Sequence, residues 1–150
     1  AGVNTQKAKA LRGLSAIASA RLAYQDYKQL FAGETWQKLA TVGARPQRLL
    51  WASTSTKDPA YSDIKYVDAL IGADTINTLP LQTLAAYRDH GQPELRLEQD
   101  IEMARTTLDG LAELGLDLKA LTDQLEQEGV QKFIRAYQGL LENLAHRLAS

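Results

Sequence analysis

The sequence contains no cysteine among its 150 residues. Disulfide bonds, thiolate nucleophiles and cysteine-ligated metal sites are therefore excluded. The absence fits a cytoplasmic protein, because structural disulfides are rare in that compartment. Histidine is also scarce, and neither His90 nor His146 has a partner at the spacing of metal ligands. We expect no metal and no other cofactor.

An excess of charge of either sign is lacking as well. Lysine and arginine total 17, aspartate and glutamate total 18, and the formal net charge is −1. This balance gives no electrostatic reason to expect nucleic acid or an anionic membrane as a partner. No apolar run approaches the roughly 20 residues of a membrane span, and the N-terminal residues lack the apolar core of a signal peptide.

The residues that are present resemble those of an ordinary globular domain, with 45% hydrophobic and 23% charged. The length suits one domain or a piece of a larger one. Apolar residues at helical spacing predict a first helix from about Thr5 to Phe31, with Asn4 or Thr5 as its N-cap. Gly33 should end it, and a short second helix should close at Gly43.

Two short stretches read as strands, near residues 48–54 and 75–78. Both are predicted to be buried, through Leu49–Trp51 in the first and Ile76 in the second. A helix over about 62–71, with Gly72 as C-cap, lies between them, so the strands should be parallel. Another helix should follow over about 81–90 and stop at Gly91.

The helical tail, residues 96–148, carries no strand signal. We predict a helix that ends at Gly115, a short helix with Asp117 as its N-cap, and a separate final helix with a broad apolar face. Two strands are too few for a stable open sheet and too small for this much helix. The chain is therefore part of a larger sheet, or it is a helical bundle in which the apparent strands are loops.

The first strand is followed by hydroxyl side chains and a lysine. Because ligands bind at the carboxyl ends of parallel strands, Ser53, Ser55, Thr56 and Lys57 could cradle a phosphate, and Asn77 could line the same site from the second strand. The alternative is a set of ordinary turn residues with a solvated lysine, and spacing alone favours it. Lys57 precedes Asp58 and Pro59 in a turn, so we expect phosphate contact rather than Schiff-base formation.

The stretch "LWASTSTK", followed by "YSDIKYVDALIGADTINTLP" and then "DHG", resembles the long-chain branch of the transaldolases. The resemblance extends over nearly the whole chain but covers only the C-terminal portion of a member. Two small departures lie in turns: Asp58, where the family commonly has asparagine, and Ala73, where it commonly has proline.

The resemblance implies α/β architecture, with the chain forming the C-terminal part of a (β/α)8 TIM barrel: two parallel strands and a mostly helical remainder over residues 1–150. Members move a dihydroxyacetone unit between sugar phosphates through a Schiff base, in the pentose phosphate pathway. The Schiff-base lysine belongs to an earlier strand, so no catalytic residue is expected in this chain. The isolated chain should be inactive, and its partner should be the N-terminal part of the barrel.

The same resemblance places Ser53 at a strand-end serine of the sugar-phosphate site. Ser55 stands where short-chain relatives have a phosphate-binding arginine, so Lys57 is the nearest substitute, with different geometry. Two other functions stay open from the residues: a non-enzymatic helical interaction module, and a stand-alone phosphate-binding domain.

Overall fold

A computed structural model of the chain describes residues 2–148, with side chains from Thr5 onward. The chain divides into two compact units, Ala1–Gly110 and Leu111–Ser150. The elements of the first unit, in order, are α1 (Gly2–Leu11), α2 (Ser15–Ala32), α3 (Glu34–Thr41), β1 (Leu49–Trp51), α4 (Lys65–Ala69), β2 (Thr75–Asn77), α5 (Leu81–His90) and most of α6 (Ile101–Glu113). The second unit contains α7 (Leu118–Leu148).

The single helix predicted from Thr5 to Phe31 is wrong, because the chain breaks between α1 and α2. Gly13 adopts a φ of +76° in the turn that separates them, a left-handed conformation that ends a right-handed helix. The predicted N-cap is also wrong, since α1 already begins at Gly2. The apolar spacing continues across the break, and periodicity alone therefore reads the two helices as one.

The core of the first unit forms where α2 meets β1. Its buried centre is Tyr24, Leu70 and Leu97, and Leu49 and Trp51 of β1 pack against it. An aromatic stripe continues along α2: the ring centroids of Tyr24 and Tyr27 are 6.0 Å apart, and those of Tyr27 and Phe31 are 4.8 Å apart. This stripe therefore contributes to the packing of the first unit.

The two strands pair in parallel, as predicted, with Leu50 opposite Ile76. Both strands are shorter than expected. Ser53 has a φ of +57°, which ends the pleated conformation after Trp51 and explains why β1 stops before Thr54. The predicted burial is wrong on one face, because Leu50 is 51% exposed and Ile76 is 37% exposed. Leu49 and Trp51 face the core, and the described residues cover the opposite face of the pair only in part.

Helix α4 is shorter than the predicted span, and its C-cap is Leu70 rather than Gly72. Its apolar side chains Ile64, Val67 and Leu70 are buried, each less than 8% exposed. Gly72 serves packing instead: a Cβ at this position would lie 2.5 Å from Cδ2 of Leu97. Helix α5 has the predicted bounds and ends at Gly91.

The short helix and the separate final helix predicted for the tail form one long helix, α7. α7 runs unbroken through Gly129, because strong helix formers on both sides outweigh the roughly 1 kcal/mol cost of an internal glycine. Asp117 caps this helix as expected, and its Oδ1 accepts a hydrogen bond of 3.1 Å from the amide of Ala120. No described residue of α7 is buried, so its predicted apolar face is exposed along its length.

Candidate functional site

A loop without helix or strand follows β1, and its first part is tied to the end of β2. Thr54 is 3% exposed, and its hydroxyl donates a hydrogen bond of 2.8 Å to Oδ1 of Asn77. The amide of Thr78 donates to the carbonyl of Trp51 at 2.9 Å, which extends the backbone ladder past both strands. The two strand ends are therefore held at a fixed separation.

Ser53, Ser55 and Lys57 are brought together at this edge of the sheet. They line a cavity of about 340 Å³ with residues that follow β2, Thr78 among them. The ammonium group of Lys57 donates a hydrogen bond of 2.9 Å to the hydroxyl of Ser55. Two hydroxyls and one cation thus surround a space between the carboxyl ends of adjacent parallel strands.

The same three side chains also border a larger cavity of about 470 Å³ on the helical side of the loop. Its floor is apolar and includes Trp51 and Leu70. The loop that carries Lys57 is therefore a wall shared by two cavities. The polar cavity between the strand ends is the better place for an anion, because both of its strands contribute polar groups.

Thr56 and Asn77 occupy different positions from the other predicted site residues. The hydroxyl of Thr56 is buried and has no hydrogen-bond partner within the described part of the chain. Asn77 borders neither cavity and instead accepts the hydrogen bond from Thr54. Sequence reasoning did not assign Thr54 a role, although its position among four successive hydroxyl residues was a usable signal.

Charge near Lys57 is set by two residues outside the strands. Asp58 follows Lys57 directly, and its Oδ2 lies 2.7 Å from Nη2 of Arg12, in the turn between α1 and α2. This ion pair offsets the carboxylate that would otherwise oppose an anion beside Lys57. Arg12 carried no sequence motif and was not predicted.

His90 lies at the end of α5 between two carboxylates. Its Nε2 is 2.9 Å from Oδ1 of Asp63, and its Nδ1 is 3.1 Å from Oδ2 of Asp89. The hydrogen bond to Asp63, and then that to Asp89, raise the pKa of His90 above its usual value. The two carboxylates face opposite nitrogens of the ring, and no group of three His, Asp or Glu residues suited to a metal occurs among the described residues.

None of the helices described over residues 2–148 is long and apolar enough to cross a membrane.

Comparison with known proteins shows strong similarity over almost the entire chain. The family described as transaldolase/fructose-6-phosphate aldolase matches residues 1–144. A transaldolase of Thiobacillus denitrificans is 51% identical over 144 residues, which cover 96% of this chain and 40% of that protein. Transaldolase 2 of Nostoc punctiforme is 46% identical, covering 95% of this chain and 38% of its own length. A transaldolase of Parafrankia sp. is 47% identical over 151 residues and is covered to 41%. The chain thus spans about two-fifths of the length of these relatives.

Proposed function

The chain belongs to the transaldolase/fructose-6-phosphate aldolase family, and we propose that it forms the C-terminal part of a (β/α)8 barrel. In this proposal the complete barrel transfers a dihydroxyacetone unit between sugar phosphates through a Schiff base. The two parallel strands of the chain are then the last two of the eight, and the helical tail follows them. The Schiff-base lysine lies in the part of the barrel outside this chain.

The observation that carries the proposal is the cluster of Ser53, Ser55 and Lys57 at the carboxyl end of β1. In barrels of this type, the active site lies at that end of the strands, and phosphate sites are often built by loops after the last two. Lys57 would supply the charge and the two serines would supply hydrogen bonds to phosphate oxygens. Asn77 would support the site indirectly, since its side chain holds Thr54. Thr56 would contribute a hydroxyl that has no hydrogen-bond partner among the described residues.

The exposed face of the strand pair supports a partner that completes the barrel. Leu50 and Ile76 are opposite each other in the register and point away from the core. An apolar pair at the centre of a short sheet is normally covered. Side chains from the remaining strands would cover this face and would also pair with the two open strand edges.

Loss of phosphate binding on removal of the cation tests the site. The chain is titrated with inorganic phosphate while the amide signals of residues 53–57 are followed by NMR. Lys57→Ala should weaken the affinity by roughly tenfold to a hundredfold, because a hydrogen bond to a charged group contributes roughly 1.5–3 kcal/mol. Lys38→Ala, on α3 and outside both cavities, is the matched control. Equal affinities of the two variants would remove Lys57 from the site.

Covalent trapping tests whether the Schiff-base lysine lies outside this chain. Borohydride reduction in the presence of a ketose phosphate should label no lysine of the isolated chain. Labelling should appear only when a chain carrying the remaining barrel strands is added, and on that chain. A label on this chain alone would contradict the assignment of the Schiff-base lysine to the missing part.

A second candidate function, a helical interaction module without enzyme activity, is favoured by one observation. α7 exposes large apolar residues throughout, with Phe133 at 82% and Tyr137 at 63%. Such a module should bind a protein partner through α7 and show no phosphate affinity. A stand-alone phosphate-binding domain would instead bind phosphate and need no partner, so the titration and the trapping assay together separate the three functions.

We also propose a cytoplasmic location, because charged sugar phosphates do not cross membranes unaided and their enzymes must share their compartment.

A further inference from the structure

Lys57 lies on a stretch of backbone that its own secondary structure cannot hold in place. Residues 52–64 contain turns and bends but no helix or strand. The beginning of this stretch is fixed by the hydrogen bond from Thr54 to Asn77. The position of the Lys57 ammonium group therefore depends on what holds the chain on its other side.

The contact on that side is made by Asp58. Its Oδ2 accepts a hydrogen bond of 2.7 Å from Nη2 of Arg12, and its Oδ1 accepts one of 3.0 Å from the amide of Ala60. Both carboxylate oxygens are thus engaged, and the residue that follows Lys57 is joined to the turn between α1 and α2.

Gly13 provides a second contact between that turn and the segment that follows Lys57. A Cβ at Gly13 would lie 2.7 Å from Nζ of Lys65 and 2.7 Å from the phenol oxygen of Tyr61. The Lys65 ammonium in turn lies 3.6 Å from the centre of the Tyr61 ring, a cation–π contact. The turn between α1 and α2 therefore forms a backing for the loop, and Arg12 is its one described ionic contact to the segment beside Lys57.

We propose that Arg12 is a positioning residue for Lys57, acting through Asp58. The inference rests on the proposed role of Lys57 in binding phosphate. Without Arg12, the Asp58 carboxylate is free to attract the neighbouring ammonium group and to repel a bound anion. Arg12 removes both effects by pairing with Asp58, and it does so without touching the ligand.

A double-mutant cycle with inorganic phosphate as the probe tests this role in the full chain. Arg12→Ala should weaken phosphate affinity about threefold to fivefold, which is the upper part of the range for one exposed ion pair. Arg12→Lys should recover part of the loss. Arg12→Ala should have no further effect when Asp58→Asn is already present, because the unpaired carboxylate is then gone. Arg105→Ala, which breaks an exposed pair with Glu102 on α6, should leave the affinity unchanged.

Two results would overturn the inference. One is an unchanged affinity in Arg12→Ala. The other is an equal loss with and without Asp58→Asn, which would mean that Arg12 attracts the phosphate directly or supports the fold in general.

Backbone order in the absence of ligand separates this inference from the proposed function. Order parameters from ¹⁵N relaxation at residues 55–58 should fall in Arg12→Ala and stay at the wild-type level in Arg105→Ala. If the wild-type chain does not bind phosphate, the proposed role of Lys57 fails, and the order parameters still decide whether Arg12 holds the loop. Unchanged order parameters in Arg12→Ala would then overturn the positioning role itself.

Discussion

The Thr54 hydroxyl donates a hydrogen bond of 2.8 Å to Oδ1 of Asn77, so side chains as well as backbone join the ends of β1 and β2. Thr54→Val keeps the shape of the side chain but leaves the Asn77 oxygen without this donor. We expect the free energy of unfolding to fall by about 1–3 kcal/mol. Urea unfolding measures the change.

Thr106→Val is the control for this substitution. Its hydroxyl also donates one hydrogen bond, to the backbone of Glu102, but on the exposed side of α6. The control should change the unfolding free energy by less than about 0.5 kcal/mol. Similar losses of unfolding free energy in the two variants would show that the hydrogen bond between the strand ends stabilises the fold no more than an exposed one.

Three glycine substitutions separate backbone conformation from packing. Gly13 has a φ of +76° and contacts Tyr61 and Lys65, Gly43 has a φ of +91° with nothing near its Cβ position, and Gly129 lies in α7 in open space. Gly43→Ala should destabilise by roughly 1–2 kcal/mol through conformation alone. Gly13→Ala should cost more, since it also displaces two side-chain ends, and Gly129→Ala should stabilise by about 0.5–1 kcal/mol. If thermal unfolding showed that Gly13→Ala stabilises the chain as Gly129→Ala does, the break between α1 and α2 would be contradicted.

Leu97 should be the most sensitive position of its segment. It is 0% exposed and lies against Gly72, whereas Leu95, two residues earlier, is 71% exposed. Leu97→Ala should reduce the unfolding free energy by about 2–5 kcal/mol through lost burial and a cavity. Leu95→Ala should reduce it by less than about 0.5 kcal/mol. Denaturant unfolding of both variants checks the difference, and equal midpoints would place Leu97 outside the core.

The contact between His90 and Asp63 should stabilise the folded chain at low pH and lose this effect as pH rises. The raised pKa of His90 means that folding favours the protonated imidazole. The stabilisation from this contact is therefore fully present below the unfolded-state pKa near 6.5, and it is lost as pH rises through the folded-state pKa. In Asp63→Asn, the titration midpoint of His90, read from its ring protons by NMR, should move down. Asp109→Asn, on α6, serves as the control and should leave it in place. An unchanged titration midpoint of His90 in Asp63→Asn would rule out the contact in solution.

The sequence predicted an element correctly where the residues at its ends are themselves helix-boundary residues. Both ends of α5 were predicted, because Pro80 and Gly91 mark them directly. Glycine inside a helical pattern was a poorer guide: the chain turns at Gly13 but continues straight through Gly129. The residue type is the same in both places, but the surroundings differ. Gly129 lies in open space between strong helix formers, whereas the turn at Gly13 packs against Tyr61 and Lys65.

The candidate site shows the same division. Ser53, Ser55 and Lys57 could be grouped from the sequence because they follow one strand closely. Arg12 could not, since it meets Asp58 across 46 residues and through a turn that the periodicity conceals. Burial of Leu50 and Ile76 was predicted wrongly because apolar character shows that a side chain needs cover without showing where that cover comes from.

The parallel register of β1 and β2 also bears on the order of events as the chain folds. Leu49 pairs with Thr75, so the intervening segment must be closed into a loop before the first ladder hydrogen bond can form. Helices such as α2 need only local contacts and form much faster. We therefore expect the strand ends, and the pocket between them, to be among the last parts of the first unit to gain protection in pulsed hydrogen-exchange experiments. A protein emerging from the ribosome would have its helices in place before its candidate binding site exists.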